Sequence, residues 1–247
     1  MTIALVTGAR GGIGREVVAR LRAGGCQVAA VGRDATTLAA QTTADAHIAA
    51  DTITPEGAAR AIAACREQLG AVPTLLAHCV GSTLIAPLHR TRAEAWAEVR
   101  RINLDSAFFM LQAWVDALRE AAPAGGASAV FVSSVVSRIG VANHEAIAAA
   151  KGGVEALVRS AAASYAAQGL RVNAVAPGMT DTPMTANMLK AEAMREAAGK
   201  QYPLGGVQTA AQVAEVIAWL LGDGAARITG QVIPVDGGFT QVRPLVR

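Results

Sequence analysis

The sequence predicts an α/β fold in which one doubly wound parallel sheet carries helices on both faces. Short β-branched or apolar segments alternate along the chain with longer alanine-rich segments of helical length, as in sheets built from crossover units. Gly and Pro residues separate these segments. The chain of 247 residues is 52% hydrophobic and 17% charged, which suits a large buried core and excludes a disordered chain. We expect residues 1–247 to form a single domain.

Strand and helix segments follow one another in order from the N-terminus. The predicted strands, each a short β-branched or apolar run, are Ile3–Thr7, Val28–Val31, Thr74–His78, Ala129–Val132, Arg171–Val175 and Gln231–Val235. The predicted helices, each longer and rich in alanine, are Ile13–Ala23, Thr36–Gln41, Pro55–Leu69, Arg92–Ala121, His144–Ala167 and Thr209–Gly222. Residues 178–206 break the alternation with Thr, Met, Lys and Pro, and so long a connection is typical of a substrate loop.

Composition narrows the range of partners. The net charge is +3, and the 22 basic residues are scattered, so a nucleic-acid partner is not expected. No apolar stretch reaches the roughly 18 residues that a membrane span requires, and no secretory signal is visible. Cys26, Cys65 and Cys79 match neither a disulfide framework nor a metal site. We expect a cytoplasmic protein that acts on a small-molecule substrate.

A glycine-rich turn follows the first predicted strand. Residues 7–14 read TGARGGIG, and the last glycine opens a predicted helix. Glycines let the backbone approach a pyrophosphate, and the helix N-terminus supplies N–H donors and a positive dipole. We therefore expect a dinucleotide at this turn. The predicted contacts are Gly8, Arg10, Gly12, Ile13 and Gly14.

The end of the second predicted strand indicates which dinucleotide binds. An NAD-binding unit carries an acidic residue there for the ribose 2′-hydroxyl, but this chain has Gly32 followed by Arg33. Arg33 can pair with a 2′-phosphate and Arg10 can assist, which favours NADP(H) over NAD(H). In the alternative interpretation, Arg33 is a solvated loop charge and Asp34 takes the place of the acidic residue.

Motifs along essentially the whole chain resemble the short-chain dehydrogenase/reductase family. TGARGGIG resembles its TGxxxGxG turn, and HCVG at residues 78–81 stands where the family has NNAG. The other matches are Asp51-Thr52 at the adenine-contacting pair, Asn103 at the structural and catalytic asparagine, Ser133-Ser134 at the serine, Pro177, Gly178 and Thr182 at the segment that holds the nicotinamide carboxamide, and Asp236-Gly237-Gly238 at the C-terminal DGG. The resemblance implies a Rossmann-type fold and a nicotinamide cofactor, which Gly81 and Lys151 would also contact.

One position departs from the family pattern. The family's catalytic pair is YxxxK, in which the tyrosine exchanges the proton while the lysine lowers the tyrosine pKa and holds the nicotinamide ribose. Lys151 matches that lysine, but Ile147 stands four residues before it. Residues i and i+4 share a helix face, so Ile147 points where the phenol would lie and cannot exchange a proton.

Three side chains come into question as replacements for the tyrosine. Tyr165 lies about 21 Å beyond Lys151 along the predicted helix, which is out of reach. Tyr202 is more simply interpreted as an anchor of the loop 178–206. His144 precedes Lys151 by seven residues, which resembles the tyrosine spacing in the family's enoyl-thioester reductase branch, and an imidazole titrates near neutrality. Alternatively, His144 is a capping or surface residue.

Two polar residues complete the predicted catalytic set of Asn103, Ser134, His144 and Lys151. Ser134 could donate a hydrogen bond to a substrate carbonyl, with Ser133 and Ser137 as competitors for that role. Asn103, by the resemblance, binds backbone and a water that relays protons to Lys151. Its alternative role is that of a buried asparagine that satisfies a helix kink.

Two functions stay open at this point. The first is an NADP(H)-dependent reductase with altered acid–base chemistry that acts on a carbonyl or conjugated substrate, such as an acyl thioester. The second is a catalytically inactive copy that stabilises an active dehydrogenase or senses NADP(H). The resemblance implies association through Arg92–Ala121 and His144–Ala167 into a homodimer or homotetramer, whereas the second function implies a hetero-oligomer with an active relative.

Overall fold

The computed structural model describes residues 2–121, 123 and 125–243. Its strands are β1 (Ile3–Thr7), β2 (Gln27–Gly32), β3 (Ala46–Ala49), β4 (Leu75–His78), β5 (Ala127–Val132), β6 (Leu170–Pro177), β7 (Thr180–Asp181), β8 (Gln208–Thr209) and β9 (Val232–Val235). Its α-helices are α1 (Gly12–Ala23), α2 (Ala35–Gln41), α3 (Pro55–Leu69), α4 (Ala93–Arg100), α5 (Ser106–Ala121), α6 (Glu145–Tyr165), α7 (Glu192–Gly199) and α8 (Ala210–Leu221). A π-helical segment, Arg101–Asp105, joins α4 to α5.

The strands confirm the predicted doubly wound parallel sheet. Seven of them pair in the order β3-β2-β1-β4-β5-β6-β9, and every pairing is parallel. Thr7 at the end of β1 pairs with Val31 of β2 and with His78 of β4. The strand order therefore reverses beside β1, and the carboxyl ends of β1 and β4 form the crevice in which such sheets bind ligands.

Two apolar layers hold the helices against the sheet. On one face, residues of α3, α5 and α6 surround Trp114 and Phe131, which are fully buried. On the other face, residues of α1 and α8 pack together with Leu38 of α2. This is the expected arrangement of helices on both faces. Among the described residues, no helix combines the length and the apolarity that crossing a membrane requires.

The structure corrects the predicted elements in four places. It adds β3, where the segment AHIA has only one β-branched residue and therefore carries a weak strand signal. The predicted loop 178–206 contains α7 and β7, which pairs with β8. The predicted helix Arg92–Ala121 is divided by the π-helical segment, and the predicted helix His144–Ala167 is α6 followed by a 3-10 turn.

Side chains satisfy the backbone of the π-helical segment. The Asn103 side-chain amide donates to the carbonyl of Val99 at 2.9 Å. The Ser106 hydroxyl donates to the carbonyl of Ile102. These bonds pair carbonyl groups whose regular α-helical partners are displaced at the junction. Asn103 thus fills the role that the alternative interpretation gave it at a helix kink.

Arg171 of β6 caps the C-terminal end of α8, and its loss is expected to destabilise the fold. Its guanidinium donates to the carbonyls of Leu220 at 2.8 Å, Leu221 at 3.1 Å, Gly222 at 3.2 Å and Ile228 at 3.3 Å. Helix ends leave such carbonyls unpaired, and a cation also complements the helix dipole. We expect Arg171→Met to lower the free energy of unfolding by about 2–3 kcal/mol, measured by urea denaturation.

The matched control is Arg20→Met. Arg20 pairs with Glu215 of α8, but both side chains are about half exposed. Exposed ion pairs contribute about 0–1 kcal/mol, so this variant should unfold close to the wild type. Equal effects of the two substitutions would contradict the capping role of Arg171.

Candidate active site

The glycine-rich turn after β1 is packed too closely for side chains. Gly8 has a φ of +64°, and a Cβ there would lie 2.7 Å from the backbone carbonyl carbon of Cys79. A Cβ on Gly14 would overlap the carbonyl oxygen of Gly8. Gly11 precedes α1 and contributes no side-chain cap to its first N–H groups. A bare backbone at a helix N-terminus fits the pyrophosphate of a dinucleotide.

Thr182 lies directly over this turn. A Cβ on Gly12 would lie 2.8 Å from Cγ2 of Thr182. Gly178, which follows Pro177 at the end of β6, is fixed by a 3.0 Å hydrogen bond from its N–H to the carbonyl of Val235. The fold therefore brings the predicted nicotinamide segment next to the predicted pyrophosphate turn, although about 170 residues separate them in sequence.

The two arginines predicted to read the 2′-phosphate are exposed near the end of β2. Asp34, the alternative acidic residue, caps α2 because its carboxylate accepts a hydrogen bond from the Thr37 N–H at 2.9 Å. That bond and the charge of Arg10 hold the pKa of Asp34 below its usual value. Asp34 is thus already engaged as a helix cap, while Arg10 and Arg33 both face solvent.

The predicted adenine-contacting pair lies where the chain leaves β3 and enters α3. Thr52 is buried, and the Asp51 carboxylate accepts a weak hydrogen bond from the Ile53 N–H at 3.4 Å. Gly57 in the first turn of α3 packs against the backbone of Asp51 with no room for a side chain. The pair therefore sits at the same carboxyl edge of the sheet as the glycine-rich turn.

Lys151, Asn103 and Gly81 meet at the crevice. Lys151 is only 5% exposed, and its Nζ donates to the carbonyl of Val132 at 2.7 Å. A Cβ on Gly81 would lie 3.4 Å from Nζ and 3.2 Å from Oδ1 of Asn103. Burial lowers the pKa of Lys151 to about 8. The predicted lysine and asparagine thus converge on one glycine at the end of β4.

The Asn103 side chain is tied to the residue after that glycine. Its Oδ1 accepts from the Ser82 N–H at 3.1 Å, and its Nδ2 donates to the Ser82 hydroxyl at 3.0 Å. With the bond to Val99 described above, both ends of the amide are paired. Asn103 therefore fixes the loop after β4 against the π-helical segment.

Two of the three candidate serines share one hydrogen-bond acceptor, and the third has a different partner. The hydroxyls of Ser133 and Ser137 both donate to the carboxylate of Glu155. Ser134 lies between them, half-buried, and its hydroxyl accepts a 3.4 Å hydrogen bond from the Val136 N–H. Because the Ser134 hydroxyl accepts this bond through its oxygen, its proton is available for donation. The geometry thus favours Ser134 over its two competitors.

His144 lies at the entrance to α6, where its backbone rather than its ring serves as the cap. Its carbonyl accepts the Ala148 N–H at 2.8 Å, and its side chain makes no capping bond. The ring Nδ1 lies 2.7 Å from the carbonyl of Ala142. A carbonyl can only accept, so Nδ1 carries a proton, and Nε2 can donate only when the ring is an imidazolium.

Ile147, which the sequence predicts at the tyrosine position, has a buried apolar side chain. It is 4% exposed and forms a small cluster with Val99 and Ala150. Leu84, Leu104, Val136 and Ala146 pack around this cluster. The side chains of this cluster are apolar, so none of them exchanges a proton.

Tyr202 anchors the segment 178–206, as its simpler interpretation predicts. Its hydroxyl accepts the Met179 N–H at 2.7 Å, and its ring lies 5.1 Å from that of Phe239. Burial raises the pKa of Tyr202. Tyr165 packs against the core on the far part of α6.

Two residues of the site region have no role in the sequence analysis. His78 is buried, with Nδ1 2.9 Å from the Thr7 hydroxyl and Nε2 3.1 Å from the Ser106 hydroxyl. Burial, with a smaller effect of the Lys151 charge, lowers the His78 pKa to about 3, so the ring is neutral. Glu155 is the second, and its only sequence signal is an acidic residue four positions after Lys151 on an alanine-rich helix. The neighbouring Cys79 thiol is not activated, because burial raises its pKa to about 12.

The chain is similar to known dehydrogenases and reductases over nearly its whole length. A family model described as enoyl-(acyl carrier protein) reductase matches residues 8–240. The chain is 36% identical to cis-4-hydroxycyclohexanecarboxylate dehydrogenase of Sinomonas cyclohexanicum, with 97% of both chains covered. It is 35% identical to the 3-oxoacyl-(acyl-carrier-protein) reductase of Pseudomonas aeruginosa, with 96% of both covered. A solved short-chain type dehydrogenase/reductase from Mycobacterium ulcerans superimposes with a TM-score of 0.90 at 29% identity, covering 98% of this chain and 90% of that one.

Proposed function

The chain belongs to the short-chain dehydrogenase/reductase family, and from that membership we propose that it is an NADP(H)-dependent oxidoreductase that works without the family's tyrosine. The observation that carries this proposal is the difference between the cofactor-binding residues and Ile147 at the crevice. The glycine-rich turn leaves no room for side chains and Lys151 is buried close to Asn103 and Gly81, while the Ile147 side chain one turn before Lys151 is packed in an apolar cluster. A chain with no use for the cofactor is under no constraint to keep that arrangement.

The proposed substrate is a carbonyl or conjugated compound, such as an enoyl or oxoacyl thioester. Two relatives support this class, since one is a dehydrogenase of a cyclic hydroxy acid and the other is a reductase of a 3-oxoacyl-(acyl-carrier-protein). In segment 178–206, the side chains of Met184 and Met194 are exposed, which supports an apolar substrate.

Three side chains have separate roles in the proposed reaction. A nicotinamide cofactor, when bound, supplies the hydride. Lys151 holds the ribose and, as an ammonium, stabilises the negative charge that develops on the substrate oxygen. Ser134 donates a hydrogen bond to the same oxygen. The imidazolium of His144, or a water, supplies the proton that completes the reduction.

The turnover test uses purified protein with NADPH and a panel of ketones, enones and enoyl thioesters. Reduction of at least one class is expected. Failure with every compound, together with intact NADPH binding, would support the inactive, nucleotide-binding partner instead. With an active substrate in hand, His144→Ala separates the two proton sources, because lost turnover assigns the proton to His144 and unchanged turnover assigns it to water.

Arg33 is expected to determine the preference for NADP(H). A guanidinium paired with a phosphate contributes about 1.5–3 kcal/mol, which corresponds to a roughly ten- to hundredfold change in Kd. We expect Arg33→Ala to weaken NADPH binding by that factor and to leave NADH binding unchanged, as measured by calorimetry. The control is Arg60→Ala, an exposed arginine on α3. Equal affinity of the wild type for the two nucleotides would contradict this assignment.

We also propose that the protein is a homodimer or homotetramer formed through α4, α5 and α6. Trp96 on α4 and Phe108 on α5 support this, because they are large apolar side chains with 38% and 49% exposure. Sedimentation analysis of the purified chain tests the proposal, and a monomer would contradict it. Capture of a tyrosine-containing relative from the source cell would instead indicate the hetero-oligomer.

A further inference from the structure

A buried carboxylate lies behind the active-site end of β5. Glu155 is 6% exposed and lies on α6 one turn after Lys151. Its Oε1 accepts from the Ser133 hydroxyl at 2.9 Å and also from the Ser137 hydroxyl. A buried carboxylate is costly to keep unless it is paired and hydrogen-bonded, so these contacts have to be satisfied together.

Two arginines balance the charge of Glu155 from its other side. Arg138 lies 3.7 Å and Arg159 lies 3.8 Å from Oε2. Both distances exceed those of good hydrogen bonds, so the close contacts of the carboxylate are the two serine hydroxyls on Oε1. Arg159 is more than half exposed, which limits the contribution of its pair.

Helix α6 therefore holds the end of β5 at two consecutive residues. Lys151 holds residue 132 through its backbone carbonyl at 2.7 Å, and Glu155 holds residue 133 through its hydroxyl at 2.9 Å. The Ser133 N–H is also fixed to the carbonyl of Val175 in β6 at 2.7 Å. Ser134 is the next residue along the chain.

The same carboxylate holds the chain again beyond Ser134. Ser137 ends the 3-10 turn that Ser134 begins, and its one hydroxyl proton is shared between the Glu155 carboxylate and the Ser134 carbonyl, which both lie within hydrogen-bond distance. The candidate serine thus lies between two residues that one carboxylate oxygen holds in place.

We propose that Glu155 is a positioning residue that sets the Ser134 hydroxyl relative to Lys151 through its hydrogen bonds to Ser133 and Ser137. The inference rests on the proposed function, since Ser134 matters only if a substrate oxygen is bound there. With Ile147 in the tyrosine position, Ser134 and Lys151 remain as donors to that oxygen. Misplacement of a reacting group by about 1 Å can cost about a hundredfold in rate, so the alignment of Ser134 is critical.

The test compares three variants by turnover and by hydrogen exchange. Glu155→Leu removes the acceptor, Glu155→Gln keeps a carbonyl oxygen for both serines, and Arg159→Ala removes only the exposed ion pair. We expect kcat to fall about ten- to hundredfold in Glu155→Leu, to stay within about threefold in Glu155→Gln, and to be unchanged in Arg159→Ala. NADPH affinity should be unchanged in all three.

Hydrogen exchange measures the stability of the turn after Ser134 independently of turnover. The amides of Ser137, Arg138 and Ile139 are bonded within the turn to the carbonyls of Ser134 and Val135. We expect them to exchange faster in Glu155→Leu and at wild-type rates in Glu155→Gln. Should Glu155→Leu fail to fold, the double variant Ser133→Ala/Ser137→Ala removes the same two bonds from the other side and should give the same loss of kcat.

The outcomes separate this inference from the proposed function. Wild-type kcat in Glu155→Leu or in the double serine variant overturns the positioning role and leaves the reductase function standing. An equal loss in Glu155→Gln and Glu155→Leu also overturns it, because charge rather than hydrogen bonding would then be responsible. If the wild type reduces nothing, the proposed function fails, and faster exchange in Glu155→Leu alone would still show that Glu155 holds the turn.

Discussion

The Ile147→Tyr variant is expected to reduce simple ketones at least about a hundredfold faster than the wild type, since a positioned general acid contributes roughly 10²–10⁴ in rate. Ile147 lies on the same face of α6 as Lys151 and one turn before it. A phenol introduced there meets a buried ammonium, which stabilises the phenolate form and prepares the hydroxyl for proton exchange. The measurement is kcat/KM for a ketone panel with NADPH.

The Ile147→Tyr substitution also has a structural cost. Ile147 is packed against Val99 and Ala150, so the larger ring must displace neighbours in that cluster, at about 1–3 kcal/mol of stability. The control is Ile147→Phe, which has the same ring without the hydroxyl. If kcat/KM rose as much in Ile147→Phe as in Ile147→Tyr, the shape of the pocket and not proton exchange would be the cause.

Lys151→Met is expected to lower kcat by about a hundredfold or more, because it removes a cation that is buried beside the crevice. Methionine keeps most of the side-chain volume, so the fold should survive. Lys190→Met, an exposed lysine of the segment 178–206, is the control and should leave kcat unchanged. Equal kcat in Lys151→Met and the wild type would remove the ammonium from the mechanism.

The pH dependence follows from the same lysine. Burial lowers the Lys151 pKa to about 8, so the ammonium is present below that pH and is lost above it. We expect kcat/KM to fall above about pH 8. Stability has the opposite sign, because an unfolded chain with an ordinary lysine pKa near 10.4 binds a proton there that the folded chain does not. Between these two values the free energy of unfolding should rise with pH, and Lys151→Met should remove that rise.

Features that depend on residue type and local spacing were predictable from the sequence. The glycine-rich turn is one, because a positive φ at Gly8 and the closeness of Gly14 to it are demands that only glycine meets. The Ile147–Lys151 relation is another, because it depends only on helical spacing. The parallel pairing of the strands is a third, because it follows from their alternation with helices.

Features that depend on distant partners were not predictable. The sequence favours Ser134 but leaves Ser133 and Ser137 as competitors, and what distinguishes these two is a carboxylate 18 to 22 residues further along the chain. The π-helical segment depends likewise on where the Asn103 amide finds its acceptors in Ser82 and Val99. The local propensity of a segment for helix or strand does not predict which distant residues will be its hydrogen-bond partners.

The π-helical segment makes the length of the chain at this point as constrained as its composition. Loss of one residue from Arg101–Asp105 would restore the α-helical repeat and remove the wide turn that carries Asn103, while α5 would keep nearly the same orientation relative to α4, because a π turn holds about one residue more than an α turn. Trp114 on α5, whose indole N–H donates to the carbonyl of Pro73 at 2.8 Å, would stay in the core, whereas the Asn103 amide would lose its position between Val99 and Ser82. Insertions and deletions that an exposed loop would absorb would therefore displace the Asn103 amide here, so homologous chains that keep its hydrogen bonds should align without gaps between α4 and α5.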